Sequence, residues 1–211
     1  MKRRQILRIA GLPALLVLAA CSRREPPAAA LKPGARVLAL GDSLTAGNGA
    51  APEQAWPAVL GELTGWQVDN EGVSGDTSAG ALQRLGPLLA ANRYDAVLVG
   101  IGGNDMLRRL SQQATRDNVA AILRQARAHT THVALIATPA PEPLRAAVGS
   151  LSDAGFYEDV ARGEKALLIP RVYSSVLSDA SLRSDQIHAN AKGYASVARQ
   201  LADRLGSAGW R

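Results

Sequence analysis

The stretch Val37-Leu38-Ala39-Leu40-Gly41-Asp42-Ser43-Leu44-Thr45-Ala46-Gly47 sets the fold of this chain. Its aliphatic run reads as a short strand, and a serine stands on the turn directly after it. Similar runs recur downstream. β-branched or aliphatic segments lie at Arg36 to Leu40, Trp66 to Asp69, Ala96 to Gly100, Val133 to Ala137 and Ala166 to Ile169. Stretches of helical period separate them. Trp56, Val59, Leu60 and Leu63 fall on one helical face, as do Leu82, Leu85, Leu88 and Leu89. Thr115 to His129 gathers Val119, Ile122, Leu123 and Ala126, and Asn190 to Leu205 gathers Tyr194, Val197, Ala198 and Leu201. Strands alternating with helices need crossover connections. The expected fold is therefore α/β, a three-layer αβα sandwich around a mainly parallel five-stranded sheet.

In sheets of this kind ligands bind outside the carboxyl ends of the strands. Ser43 follows the first strand, Gly75 the second and Asn104 the third, while His188 comes after the fifth, ahead of the last helix. All four converge on one rim. A serine hydroxyl needs a base to take its proton as it attacks, and His188 is the candidate. Asp185, three residues earlier in Asp185-Gln186-Ile187-His188, can accept the Nδ1 proton and leave Nε2 for Ser43, provided the segment forms an irregular turn. Each residue also has an ordinary reading. Ser43 could be an N-cap where strand passes to helix, Asn104 a turn residue, and Asn190 the cap of the last helix. The remaining histidines, His129 and His132, flank the start of a strand away from the rim and are expected to be solvated surface groups.

The ends of the chain speak to location. Its 211 residues are 47% hydrophobic and 20% charged, enough for one domain with a real core, and the net charge is +6. Lys2, Arg3, Arg4 and Arg8 precede the apolar run Ile9 to Ala20, the layout of a secretory signal peptide over residues 1–20. The run is too short to span a bilayer as a helix. Leu18-Ala19-Ala20-Cys21 resembles a bacterial lipobox, which makes Cys21 the expected lipidation site and first mature residue. Cys21 is the single cysteine, so no internal disulfide can form. Without residues 1–20 the chain carries 20 basic and 18 acidic side chains, and the case for a nucleic-acid partner disappears. Residues 21–34, rich in proline and charge, read as a tether that reaches about 40 Å when stretched. The globular domain is expected over residues 35–211. The expected setting is the bacterial cell envelope, anchored by lipid to the outer membrane and facing the periplasm, as a monomer.

Four pieces in order, Gly41 to Gly47, Asn70 to Thr77, Gly102-Gly103-Asn104-Asp105 and Asp185 to His188, resemble the GDSL/SGNH family of serine ester hydrolases. Ala55-Trp56-Pro57-Ala58-Val59-Leu60, Asp76-Thr77-Ser78 and Arg84-Leu85 extend the likeness toward its thioesterase I/lysophospholipase/arylesterase branch. The likeness runs from about Val37 to Arg108, fades between Thr138 and Ser184, and resumes at the D-x-x-H. It implies a flavodoxin-like sheet of order 2-1-3-4-5. It also implies Ser43 as nucleophile and His188 with Asp185 as base and orienter. The oxyanion donors it implies are the backbone N–H groups of Ser43 and Gly75 and the side-chain amide of Asn104. The substrates it implies are small acyl esters, thioesters or lysophospholipids, with no cofactor and no metal.

Two features depart from the family pattern. Thr138-Pro139-Ala140-Pro141-Glu142-Pro143 stands where a substrate-facing loop is expected, and Ala189 follows His188 where proline is common, which is expected to loosen that loop. With one Phe, three Trp and four Tyr, leucine and alanine are expected to line any acyl pocket. There is no G-x-S-x-G elbow, no G-x-G-x-x-G or Walker sequence, and His129-Thr130-Thr131-His132 has no nearby carboxylate or cysteine to complete a metal pair. Two rivals share this pattern: a carbohydrate or peptidoglycan O-acetylesterase, and a non-catalytic envelope lipoprotein that keeps the fold for binding.

Overall fold

A computed structural model describes residues 29–142 and 149–211. Cys21 and the expected signal peptide lie outside the described residues, as does Pro143. Five parallel strands, β1 (Arg36–Gly41), β2 (Gln67–Gly72), β3 (Ala96–Gly100), β4 (His132–Ile136) and β5 (Leu167–Ile169), form one sheet of order β2-β1-β3-β4-β5. The expected three-layer α/β architecture and strand order are both present.

Side-chain alternation along the strands builds the layers. Val37 and Ala39 of β1, Ala96 and Leu98 of β3, and Ala134 and Ile136 of β4 point to one face. There they meet α2 (Trp56–Thr64), α7 (Val172–Ser178) and α8 (Ala191–Ser207). Leu38 and Leu40, Val97 and Val99, and Val133 and Leu135 point to the other. They meet α3 (Ser78–Ala91), α5 (Gln112–His129) and α6 (Phe156–Gly163). Two short helices, α1 (Ser43–Ala46) and α4 (Gly103–Leu107), follow β1 and β3 directly at the carboxyl rim. Among the described residues, no helix is long and apolar enough to cross a membrane.

Four details differ from the sequence reading. The second strand runs on past the expected end at Asp69 to Gly72, so Asn70-Glu71-Gly72 pairs with Ala39-Leu40-Gly41 of β1. Helices α6 and α7 occupy the region where no periodicity stood out, because each is two turns or so and too short for a repeating pattern. His132 is not a solvated surface group. It is buried, its Nε2–H donates to the carbonyl of Ala29 at 2.7 Å, and it meets Trp210 edge-on at 4.9 Å. His129 is half-buried, and its Nε2 accepts the backbone N–H of Tyr94 at 3.0 Å. Within the stretch expected as a tether, residues 29–34 lie against the domain. The N–H of Leu31 donates to the Trp210 carbonyl, and that of Gly34 to the Gly65 carbonyl. That segment is what covers His132.

Candidate active site

Ser43 begins α1, two residues past the end of β1, with Asp42 between. Asp42 caps the helix, its Oδ1 accepting the N–H of Leu44 at 3.0 Å. Two glycines leave the room that brings this helix so near the sheet. A Cβ on Gly41 would lie 2.1 Å from Thr45 Oγ1 and 2.6 Å from the Gly100 carbonyl, and one on Gly72 would lie 2.1 Å from the backbone nitrogen of Ala46. The G-D-S-L-T-A-G stretch is thus a turn wedged between the ends of β1 and β2, with the serine hydroxyl at its edge.

The base arrives from the other end of the chain. Asp185 shapes its own loop: Oδ1 accepts the N–H groups of Ile187 and His188, each at 2.8 Å, and Oδ2 receives Nδ1 of His188 at 2.7 Å. A carboxylate only accepts, so the proton of a neutral imidazole sits on Nδ1. Nε2 is then free to accept from Ser43 Oγ, 3.0 Å away. Burial pushes the Asp185 carboxyl up, but the hydrogen bonds from His188 and Ile187 outweigh it and hold the group below the usual carboxylate range. Ala189 does not leave the loop loose. The N–H of Ser184 donates to the His188 carbonyl at 3.0 Å, Arg183 bridges Ala189, and Asn190 Nδ2 donates to the carbonyls of Ser181 and Arg183. Asn190 Oδ1 meanwhile caps α8 through the N–H of Gly193, so the cap and the loop are one construction.

The turn between β2 and α3 is clamped from two sides. Gly75 sits at φ +77°, a left-handed backbone that suits glycine. Its carbonyl accepts from the Arg108 guanidinium at 2.8 Å. The next carbonyl, of Asp76, accepts from Asn104 Nδ2 at 2.9 Å, which leaves the second amide hydrogen of Asn104 over. Asp76 Oδ2 holds Arg84 Nε at 2.8 Å, while Arg84 Nη2 donates to the Gly41 carbonyl at 2.8 Å. One guanidinium thereby ties the turn carrying Gly75 to the strand end that leads into Ser43. Asp105, buried, accepts from Ser78 N–H at 2.8 Å and Ser78 Oγ at 2.6 Å, fixing α4 and its Asn104 against the start of α3. Among the described residues the N–H groups of Ser43 and Gly75 donate to no backbone or side-chain acceptor.

Asp42 is the unusual group. It is 2% exposed, and Leu44 N–H is the one hydrogen bond its carboxylate accepts among the described residues. Burial pushes it up to about 7, against the pull of that hydrogen bond and of His188, while Asp76 and Asp105 add to the rise.

A cavity of about 560 Å³ opens beside Ser43 and Asn104. That is an ordinary size for a small-molecule site. Leu44, Leu107, Leu151, Leu177 and Ile187 give it an aliphatic lining, and no aromatic ring lines it among the described residues. The segment Thr138 to Glu142 forms one wall. Tyr157 buttresses that wall: its hydroxyl donates to the Ile101 carbonyl at 2.8 Å and meets Thr138 Oγ1 at 2.6 Å. Of the residues singled out at the rim, Ser43 and Asn104 line this cavity, and His188 and Asp185 join it through their hydrogen bonds to Ser43 Oγ and to each other. Sequence reading missed the tie made by Arg84, although Arg84 stands in a matched segment. It missed Arg108 and the walls from Leu151 and Leu177 as well, which carry no local signal.

The profile of the GDSL-like Lipase/Acylhydrolase family matches residues 39–196. Over 158 residues the chain is 34% identical to Esterase TesA of Pseudomonas aeruginosa, covering 72% of this chain and 78% of that one. Over 174 residues it is 33% identical to Thioesterase 1/protease 1/lysophospholipase L1 of Escherichia coli strain K12, covering 80% and 82%. The crystal structure of TesA superposes with a TM-score of 0.72 at 29% identity, covering 82% of this chain and 99% of that one. The psychrotrophic esterase EstA from a Pseudoalteromonas species gives 0.70 at 25% identity, covering 82% and 97%. The chain therefore belongs to the GDSL-like lipase/acylhydrolase family and is a serine carboxylic ester hydrolase.

Proposed function

We propose that Ser43 attacks the carbonyl of a small or medium acyl ester or thioester and carries the acyl group as a covalent intermediate. The observation that carries this reading is the unbroken relay of Ser43 Oγ, His188 and Asp185, at 3.0 Å and 2.7 Å, opening onto an aliphatic cavity. His188 Nε2 takes the serine proton as the C–O bond forms and returns it to the leaving alcohol or thiol. Asp185 holds the Nδ1 proton and offsets the imidazolium charge. The free N–H groups of Ser43 and Gly75 and the spare amide hydrogen of Asn104 receive the oxyanion. Water activated by the same base then releases the acid. Lysophospholipids fit this assignment, supported by the relative whose name includes lysophospholipase L1.

The test is hydrolysis of p-nitrophenyl esters from acetate to palmitate by the wild-type protein and Ser43→Ala. Serine-dependent turnover with a preference along the series is expected; undiminished turnover in Ser43→Ala would reject the nucleophile. The proposal extends to location: lipidation at Cys21 tethers the enzyme to the envelope, on the outer membrane facing the periplasm. The basic-apolar segment and the L-A-A-C boundary support it. Cys21→Ser should abolish labelling by a radioactive fatty acid and release the protein from the membrane fraction. Retention and labelling of that variant would overturn the anchor.

A further inference from the structure

We propose that Arg183 binds the phosphate of acyl esters whose leaving group carries one, so that lysophospholipids are preferred over neutral esters of the same acyl chain. This rests on the esterase reading above and names its substrate class. Arg183 lies on the wall shared by two hollows. One is the aliphatic cavity that holds Ser43; the other is a shallow depression of about 340 Å³ lined by Ala180, Ser184, Asp185 and Gln186 on the far side of the Asp185 loop. Gln186 is the other residue the two hollows share. An acyl chain laid in the first hollow leaves the alcohol half of the ester to pass over that wall.

Among the described residues lining either hollow, Arg183 is the one basic residue, beside the carboxyl groups of Asp42 and Glu142 in the first and Asp185 in the second. Arg84 and Arg108 line neither hollow and are engaged by the carbonyls of Gly41 and Gly75. Arg183 is half-buried, and its guanidinium forms no hydrogen bond or ion pair within 4.0 Å among the described residues. Asp179 feels its charge, after the hydrogen bonds from Ser181 that chiefly hold that carboxyl low, but Asp179 is fully exposed on open surface. A partly desolvated guanidinium presents a planar fork of donors that matches a phosphate. Its backbone is fixed as well, because the Arg183 carbonyl accepts from Asn190 Nδ2 at 3.1 Å and the residue bridges Ala189. The root of the Arg183 side chain is thereby anchored in the same loop as His188. In a 1-acyl lysophospholipid a single glycerol separates ester from phosphate, a reach suited to a cation beside the catalytic loop. In an acyl-coenzyme A thioester the whole pantetheine arm intervenes.

The test compares the full-length wild type with Arg183→Gln and Arg183→Lys on three decanoyl substrates: monodecanoylglycerol, decanoyl lysophosphatidylglycerol and decanoyl-coenzyme A. Arg183→Gln should lower kcat/KM on the lysophospholipid by about 10- to 100-fold, through KM, as expected for lost charge-assisted hydrogen bonds. It should leave monodecanoylglycerol within about 2-fold, since that ester makes no such bond. Arg183→Lys should recover part of the loss by restoring the charge. Equal losses on the neutral and phosphorylated esters, or none on either, would overturn the assignment. A loss confined to decanoyl-coenzyme A would move the contact to coenzyme A phosphates and overturn the lysophospholipid preference. A wild type inactive on all three would reject the esterase reading itself, an outcome separate from active wild type with an indifferent variant.

Discussion

Replacing Asp42 by asparagine tests how this fold tolerates an acid under its nucleophile. Asparagine keeps the oxygen that accepts Leu44 N–H, so the α1 cap survives. It removes the charge from a site only 2% exposed. In the unfolded chain an aspartate releases its proton near 3.8, while in the fold burial holds Asp42 up to about 7. Between those values the folded state keeps a proton that the unfolded state has lost. Wild-type stability therefore falls as pH rises from about 4 to about 7, and the whole penalty is present above 7. Within that window every tenfold drop in proton concentration costs the folded state about 1.4 kcal/mol. Raising pH from 5 to 8.5 should therefore destabilise the wild type by roughly 3 kcal/mol relative to Asp42→Asn. For a chain of this size that is about 6–12 °C in Tm. Thermal or urea melts of both proteins at pH 5 and pH 8.5 measure it, and the comparison between proteins at each pH cancels every other titration. Asp42→Asn should gain on the wild type at the higher pH. A difference that stays constant from pH 5 to 8.5 would refute the claim that Asp42 is folded into an environment hostile to its charge.

Three further outcomes are expected. Asp185→Asn should lower kcat by on the order of 10³- to 10⁴-fold while leaving KM and Tm nearly unchanged, because the imidazole loses its orienting acceptor but not its place; steady-state kinetics with a short p-nitrophenyl ester reads it. Asn104→Ala removes one oxyanion donor and should lower kcat by about 10²- to 10³-fold with a small effect on KM, measured in the same assay. Gly72→Ala drives a methyl group to 2.1 Å from the backbone nitrogen of Ala46, where no side-chain rotation can relieve it. The cost should reach about 3 kcal/mol, or roughly 6–12 °C in Tm, and an unchanged melting curve would contradict it.

Much of the architecture was legible because its signals are local and repeated. The aliphatic runs of β1, β3 and β4 and the 3.6-residue stripes of α2, α5 and α8 each announce their element within a few residues. Helices α6 and α7 were missed because seven or eight residues carry too few turns for a stripe to repeat. The chemistry-bearing residues stood out for a different reason. Ser43, Gly75 and Asn104 each follow a strand, and a parallel sheet places those strand ends on one rim. Asp185 and His188 instead lie between α7 and α8 and stood out through the D-x-x-H spacing. His132 misled the reading because its shield comes from Ala29 and Trp210, which lie far away along the chain at its two ends.

The sequence by itself determined the parallel sheet, its two covered faces and the placement of Ser43, Gly75 and Asn104 after successive strands. Alternation, helical period and the position of a residue after a strand are properties of a short window, and such properties survive without coordinates. Only the tertiary structure decided the distances that make a site: 3.0 Å from serine to imidazole across 145 positions of chain, and the Arg84 tie between two strand ends. It alone decided that Leu151 and Leu177 would meet Leu107 and Ile187 around one cavity, and that Asp42 would be buried with a single hydrogen bond to its carboxylate among the described residues. Those are long-range packing outcomes. They depend on how whole layers settle against each other, and no stretch of ten or twenty residues contains them.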